Sequence, residues 1–128
     1  MKKISIISIV FLVSIFALNA QEKTKKLFVA EFSKAELLKI KNLVELYKAI
    51  DSTADYSKYT FRSFEMSLTQ KGIEITETAY GLLLSEKQKK LISQAAVSTK
   101  IFLENIKAIE PGKPDVTVLP AIILKIND

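Results

Sequence analysis

Thr60-Phe61-Arg62-Ser63-Phe64-Glu65-Met66-Ser67-Leu68, then Thr69-Gln70-Lys71-Gly72, then Ile73-Glu74-Ile75-Thr76-Glu77-Thr78 decide the fold. In the first run Thr60, Arg62, Phe64, Met66 and Leu68 alternate with Tyr59, Phe61, Ser63, Glu65 and Ser67. A period of two places Phe64, Met66 and Leu68 on one face of a strand. The third run alternates again, and Gly72 can take the positive φ a tight turn requires, so the two runs predict a hairpin.

The period changes on either side. Upstream, Leu37, Ile40, Leu43, Val44, Tyr47 and Ile50 recur at steps of three and four, with Lys39, Lys41, Asn42, Glu45 and Lys48 between them. That spacing predicts an amphipathic helix from about Lys34 to Ile50. Ser33-Lys34-Ala35-Glu36 opens it with the S-x-x-E form of a capping box. Leu27 to Phe32 before it is a short strand or extended lead-in, and Asp51-Ser52-Thr53-Ala54-Asp55 after it is a loop. Downstream, Ser85-Glu86-Lys87-Gln88 repeats the box and predicts a second helix to about Ala95. Its Leu91, Ile92 and Ala95 face the sheet, and Lys87, Lys89 and Lys90 face solvent. Lys100 to Ile109 is a strand. Glu110-Pro111-Gly112 suits a type II turn, and Val116 to Val118 resumes extended structure. Pro120 cannot donate to a ladder and marks an edge or a break. Ala121 to Ile126 closes the sheet with Ile122, Leu124 and Ile126 inward. The expected class is α+β, an antiparallel sheet of about five strands with two packed amphipathic helices.

The N-terminal end reads differently. Lys2 and Lys3 precede an apolar run, Ile4 to Leu18, and Leu18-Asn19-Ala20 ends it on a small residue. These are the three parts of a secretory signal, so the expectation is cleavage between Ala20 and Gln21. The run is short for a spanning helix, which needs about 20 apolar residues, and Asn19, Gln21, Glu22 and Lys23 close it. Residues 21–128 are then one periplasmic or secreted domain without a stable membrane anchor, opened by a basic leader at Lys23, Lys25 and Lys26.

Composition narrows the chemistry. The chain has 128 residues, 48% hydrophobic and 26% charged, which is a globular balance. It contains no Cys and no His, which excludes disulfides, thiolate nucleophiles and every Ser-His or Cys-His arrangement. A formal charge of +5 without a dense basic stripe argues against nucleic acid as a partner. No phosphate-binding, zinc-protease or Ca²⁺-loop motif occurs. Two carboxylate pairs, Asp51 with Asp55 and Glu74 with Glu77, are the candidates for acid–base work. The first lies in a loop, and the second is three apart on a strand, so its members point to opposite faces. Tyr47, Tyr56, Tyr59 and Tyr80 are core or rim packing. The expectation is no catalytic, cofactor-binding or metal-binding residue and no enzyme.

Four stretches taken in order resemble the C-terminal domain of the gliding-motility and type IX secretion protein GldM (PorM in its relatives). They are Thr60 to Ser67, Leu84-Ser85-Glu86-Lys87-Gln88-Lys89-Lys90-Leu91-Ile92, Lys100-Ile101-Phe102-Leu103-Glu104-Asn105-Ile106-Lys107-Ala108, and Leu119-Pro120-Ala121-Ile122-Ile123-Leu124-Lys125-Ile126. Asn105-Ile106-Lys107-Ala108 followed by a Pro-Gly turn is the most distinctive. The resemblance implies a periplasmic, β-rich module with packed helices and no catalytic residues, in the envelope of a Bacteroidota-type bacterium. The Asn19-Ala20-Gln21 junction is similar to signals common in such bacteria. GldM itself has a transmembrane helix and stacked periplasmic domains before this one, so the expectation is a stand-alone exported domain and not a motor shaft. Its partners are then envelope proteins. The competing expectation is a periplasmic small-ligand-binding or inhibitor protein.

Overall fold

The hairpin forms as its alternation dictates. Strands β2 (Thr60–Gln70) and β3 (Ile73–Tyr80) pair antiparallel, with Leu68 opposite Ile75 and Phe64 opposite Ala79. Lys71 (φ 53°) and Gly72 (φ 80°) form the turn between them. Positive φ at both central residues is the type I′ geometry, whose twist matches that of the flanking strands.

The computed structural model describes residues 27–127; the expected signal, its Ala20/Gln21 junction and the basic leader lie outside them. The other elements are β1 (Leu27–Phe32), α1 (Lys34–Lys39), α2 (Leu43–Ile50), α3 (Glu86–Gln94), β4 (Lys100–Ile109), β5 (Val116–Leu119) and β6 (Ala121–Ile126). The class is α+β. The sheet order is β1-β6-β4-β2-β3, with β5 also paired to β4.

The sheet has six strands and is mixed, because β1 lies parallel to β6. The expected α+β class with packed amphipathic helices forms, and the parallel β1–β6 pair is the departure from an antiparallel sheet of about five strands. Local patterning sees hairpins; a parallel pair joins distant segments and leaves no local mark.

The helix expected from Lys34 to Ile50 is two helices. Asn42 is extended (φ −155°, ψ 171°), and its side chain accepts from the Glu45 N–H. The Glu45 carboxylate accepts in turn from the Lys41 N–H, and Asn42 bridges to Leu83. A short polar side chain that satisfies a helix start from within an apolar stripe restarts the helix there. Both expected capping boxes form. Ser33 and Glu36 exchange bonds of 3.1 and 2.9 Å, and Ser85 and Gln88 bonds of 3.1 and 3.0 Å.

All three helices pack on one face of the sheet. Leu37, Leu43, Leu46, Tyr47 and Ile92 share a core with Phe64, Met66, Leu103, Ile122 and Leu124.

Inward facing does not follow a single alternation. On β2 the buried residues are Phe61, then Phe64, Met66 and Leu68; on β4, Ile101 and Leu103, then Ile106 and Ala108; on β5 and β6, Leu119, then Ile122, Leu124 and Ile126. Each strand changes phase once, and the three changes line up across the sheet. Arg62 is an extra residue on β2 between the pairs Phe61–Ala108 and Ser63–Lys107. The compensating extra residue on β4 falls beside Asn105, whose φ is 53°. Pro120 separates β5 from β6 at the same level. Two offsetting bulges restore the pairing register while each strand keeps apolar residues on the core side. The expected inward residues Phe64, Met66 and Leu68 are buried, and the phase change adds one residue that their alternation does not reach. Phe61 is buried, whereas Thr60 and Arg62 are exposed.

Pro120 offers no N–H, and the hydroxyl of fully buried Tyr47 donates to its carbonyl at 2.5 Å. Helix α2 is thereby tied to the break in the sheet.

Candidate functional site

The space between helices and sheet is a core. Leu37, Leu43, Met66, Ile92, Leu103 and Leu124 line a cavity of about 10 Å³. That is at the lower bound for one water molecule, whereas small-ligand pockets run to hundreds of Å³.

The structure does not bring the candidate carboxylates together. The Asp51 Oδ1 accepts from the Thr53 backbone N–H (3.0 Å) and hydroxyl (2.7 Å), and the Asp55 Oδ1 accepts from the Ser57 N–H (3.0 Å). These are local loop closures. The Ser57 hydrogen bonds, with Lys48 and Lys58 nearby, hold the Asp55 carboxyl below its ordinary pKa. Glu74 and Glu77 stand on opposite faces of β3, Glu74 beside Thr69 and Glu77 beside the buried Met66.

Three of the four tyrosines form a ring series with Phe28. Centroids are 5.2 Å apart from Phe28 to Tyr47, 4.7 Å from Tyr47 to Tyr56 and 5.1 Å from Tyr56 to Tyr59. Burial, and then the neighbouring Tyr56, raises the Tyr47 hydroxyl far above its ordinary pKa. Burial, and then Tyr59 and Asp51, raises Tyr56. The fourth, Tyr80, stands apart and is 81% exposed. Among the described residues no group of three or more Asp or Glu side chains is placed to hold a metal ion, and no helix is long and apolar enough to cross a membrane.

The second face of the sheet, opposite the helices, carries the distinctive surface. Val29, Ile123 and Phe102 sit side by side on β1, β6 and β4, since Val29 pairs with Ile123 and Ile123 with Phe102. Each lies out of phase with the buried residues of its strand and is only half-buried. Leu27 and Ala121 extend this apolar row in one direction along the strands.

Charged pairs flank the row. On one side Lys100 pairs with Lys125, with Glu31 beyond Lys125. On the other Glu65 pairs with Glu104, and the Asn105 amide donates to the Glu65 carboxylate at 3.2 Å. Glu65, Glu104, Asn105, Val118 and Ala121 outline a shallow, open depression of about 440 Å³. Val118 is itself exposed, and Val116 lies exposed beyond the depression.

Sequence reasoning assigned inward faces and passed over this outer one. The signal was present: Leu27-Phe28-Val29-Ala30 and Ala121-Ile122-Ile123-Leu124 are apolar at consecutive positions. Strands apolar on both faces have something to bury on both. The sequence reading of Gln88 covers its capping role alone. Gln88 is fully buried, and beyond that role it donates to the Glu77 carbonyl at 2.9 Å, which occupies an acceptor of edge strand β3.

No family model and no curated protein matches this chain.

Proposed function

We propose that the protein is a non-catalytic, exported protein-binding module of the bacterial cell envelope, accessory to gliding or type IX secretion machinery, and that it docks through the face of its sheet opposite the described helices. The apolar row Val29–Ile123–Phe102 carries this reading. It is continuous across three strands, lies outside the core, and is rimmed by charge, which is the anatomy of a recognition surface. The signal-like first twenty residues support export, and the ordered GldM-like stretches support an envelope role. A small-ligand carrier would need an interior far larger than about 10 Å³.

The test is crosslinked recovery from the native envelope with the wild type and a Phe102→Asp/Ile123→Asp variant, whose fold is checked by circular dichroism. The expected result is one reproducible partner with the wild type and its loss with the variant. Recovery that ignores the variant, or no reproducible partner, overturns the proposal. N-terminal sequencing of the exported protein should begin at Gln21; an intact Met1 refutes cleavage.

A further inference from the structure

We infer that the occupant of the face opposite the described helices is a second copy of this chain, seated by a two-fold axis that runs across the strands through Phe102. This rests on reading that face as the docking surface and names its partner.

The charges on this face are arranged unfavourably in one molecule. Lys100 lies directly across from Lys125, and Glu65 directly across from Glu104, on the same face. Like charges at directly opposed positions destabilise a sheet. Glu31 beside Lys125 and the Asn105 amide on Glu65 offset this in part. Lys100 and Glu104 keep no such neighbour in the pairing register.

The two like-charged pairs are placed to relieve each other across a two-fold. Along β4 the outward residues run Lys100, Phe102, Glu104. Each charge stands two residues, about 7 Å, from Phe102. Rotation about an axis through Phe102, perpendicular to the strands, turns a second copy face to face with strand directions reversed. Phe102 then meets Phe102 and Ile123 meets Ile123. Lys100 meets Glu104 of the other copy, and Glu104 meets its Lys100.

The same operation sets Lys125 of each copy one strand, about 4.8 Å, to the side of Glu104 of the other. Aligned sheets pack about 10 Å apart at about 30°. At that angle a group 7 Å from the axis moves sideways by about 3.5 Å, within the reach of a lysine side chain. The apolar row is self-complementary, and Lys100 and Glu104 meet opposite charge between copies, as an isologous interface requires.

Sedimentation equilibrium on the protein as it is expressed tests this. The wild type should be a dimer. Lys100→Glu and Glu104→Lys should each raise the dissociation constant roughly tenfold or more, because two attractions become two repulsions. Mixing the two variants should restore a heterodimer, and the double variant Lys100→Glu/Glu104→Lys should restore the homodimer. Those recoveries also exclude misfolding as the cause. A wild type that stays monomeric at its highest soluble concentration overturns the inference. So does a dimer indifferent to both reversals and to Phe102→Asp. A monomer whose envelope partner is still lost with Phe102→Asp/Ile123→Asp would leave the docking reading standing while removing the second copy as its occupant.

Discussion

Replacing Tyr47 by Phe removes one oxygen from the core and strips the Pro120 carbonyl of its donor. The hydrogen bond is 2.5 Å long and Tyr47 is fully buried. A typical bond contributes about 1 kcal/mol net, and leaving a buried acceptor unsatisfied costs about 1–3 kcal/mol. Pro120 is only partly buried, so water reaches its carbonyl in part and the lower half of that range applies. The expected loss at pH 7 is about 1.5 kcal/mol, or roughly 5–10 °C in Tm for a domain of this size.

The same substitution carries a second, opposite signature. Folding raises the Tyr47 pKa, with burial the main cause. The stability tied to its neutral hydroxyl is therefore complete below the unfolded value near 10 and is lost as pH rises above it. Above that point the folded chain keeps a proton the unfolded chain releases, and the wild type loses about 1.4 kcal/mol per pH unit that Tyr47→Phe does not. Lysine titration is common to both proteins and cancels. Urea unfolding followed by circular dichroism should show the gap open at pH 7–9 and closed near pH 11. A Tyr47→Phe protein as stable as wild type at pH 7, or a gap that stays constant to pH 11, refutes the reasoning.

Gln88→Glu preserves the capping acceptor but loses the donor to the Glu77 carbonyl, so it should cost about 2–3 kcal/mol at pH 7 and less near pH 4, where a protonated carboxyl donates again; urea midpoints at the two pH values check this. Asn105→Val should cost about 2 kcal/mol or more, because a β-branched residue is strained at φ 53° and the bond to Glu65 is lost; Asn105→Gly, freed of that strain, should cost under about 1 kcal/mol, and equal midpoint shifts would exclude a backbone origin.

Some of the architecture is local chemistry. Ser33 with Glu36 and Ser85 with Gln88 start helices wherever the chain places them, since the partners are three residues apart. Phe64, Met66 and Leu68 alternate, Lys71-Gly72 turns, and the hairpin follows. The absence of Cys and His excludes whole classes of chemistry before any coordinate is known. The α+β class, the hairpin, the two capping boxes and the lack of Cys and His are therefore legible in the chain's local pattern.

Tertiary structure decided what depends on partners distant in the chain. The parallel β1–β6 pair joins the two ends of the described segment. The phase change shared by Arg62, Asn105 and Pro120 exists only because three strands lie side by side, and one strand's alternation cannot report a bulge in its neighbour. Asn42 reads as one more polar residue beside an apolar stripe until its backbone meets Leu83. The candidate docking face is of the same kind. Val29 and Ile123 are separated by most of the chain, with Phe102 on a third strand, and Lys100 and Lys125 become a pair only through strand register. Sequence periodicity reports which way a side chain points from its own backbone; which side chains then stand together is fixed by the order in which strands are hydrogen-bonded.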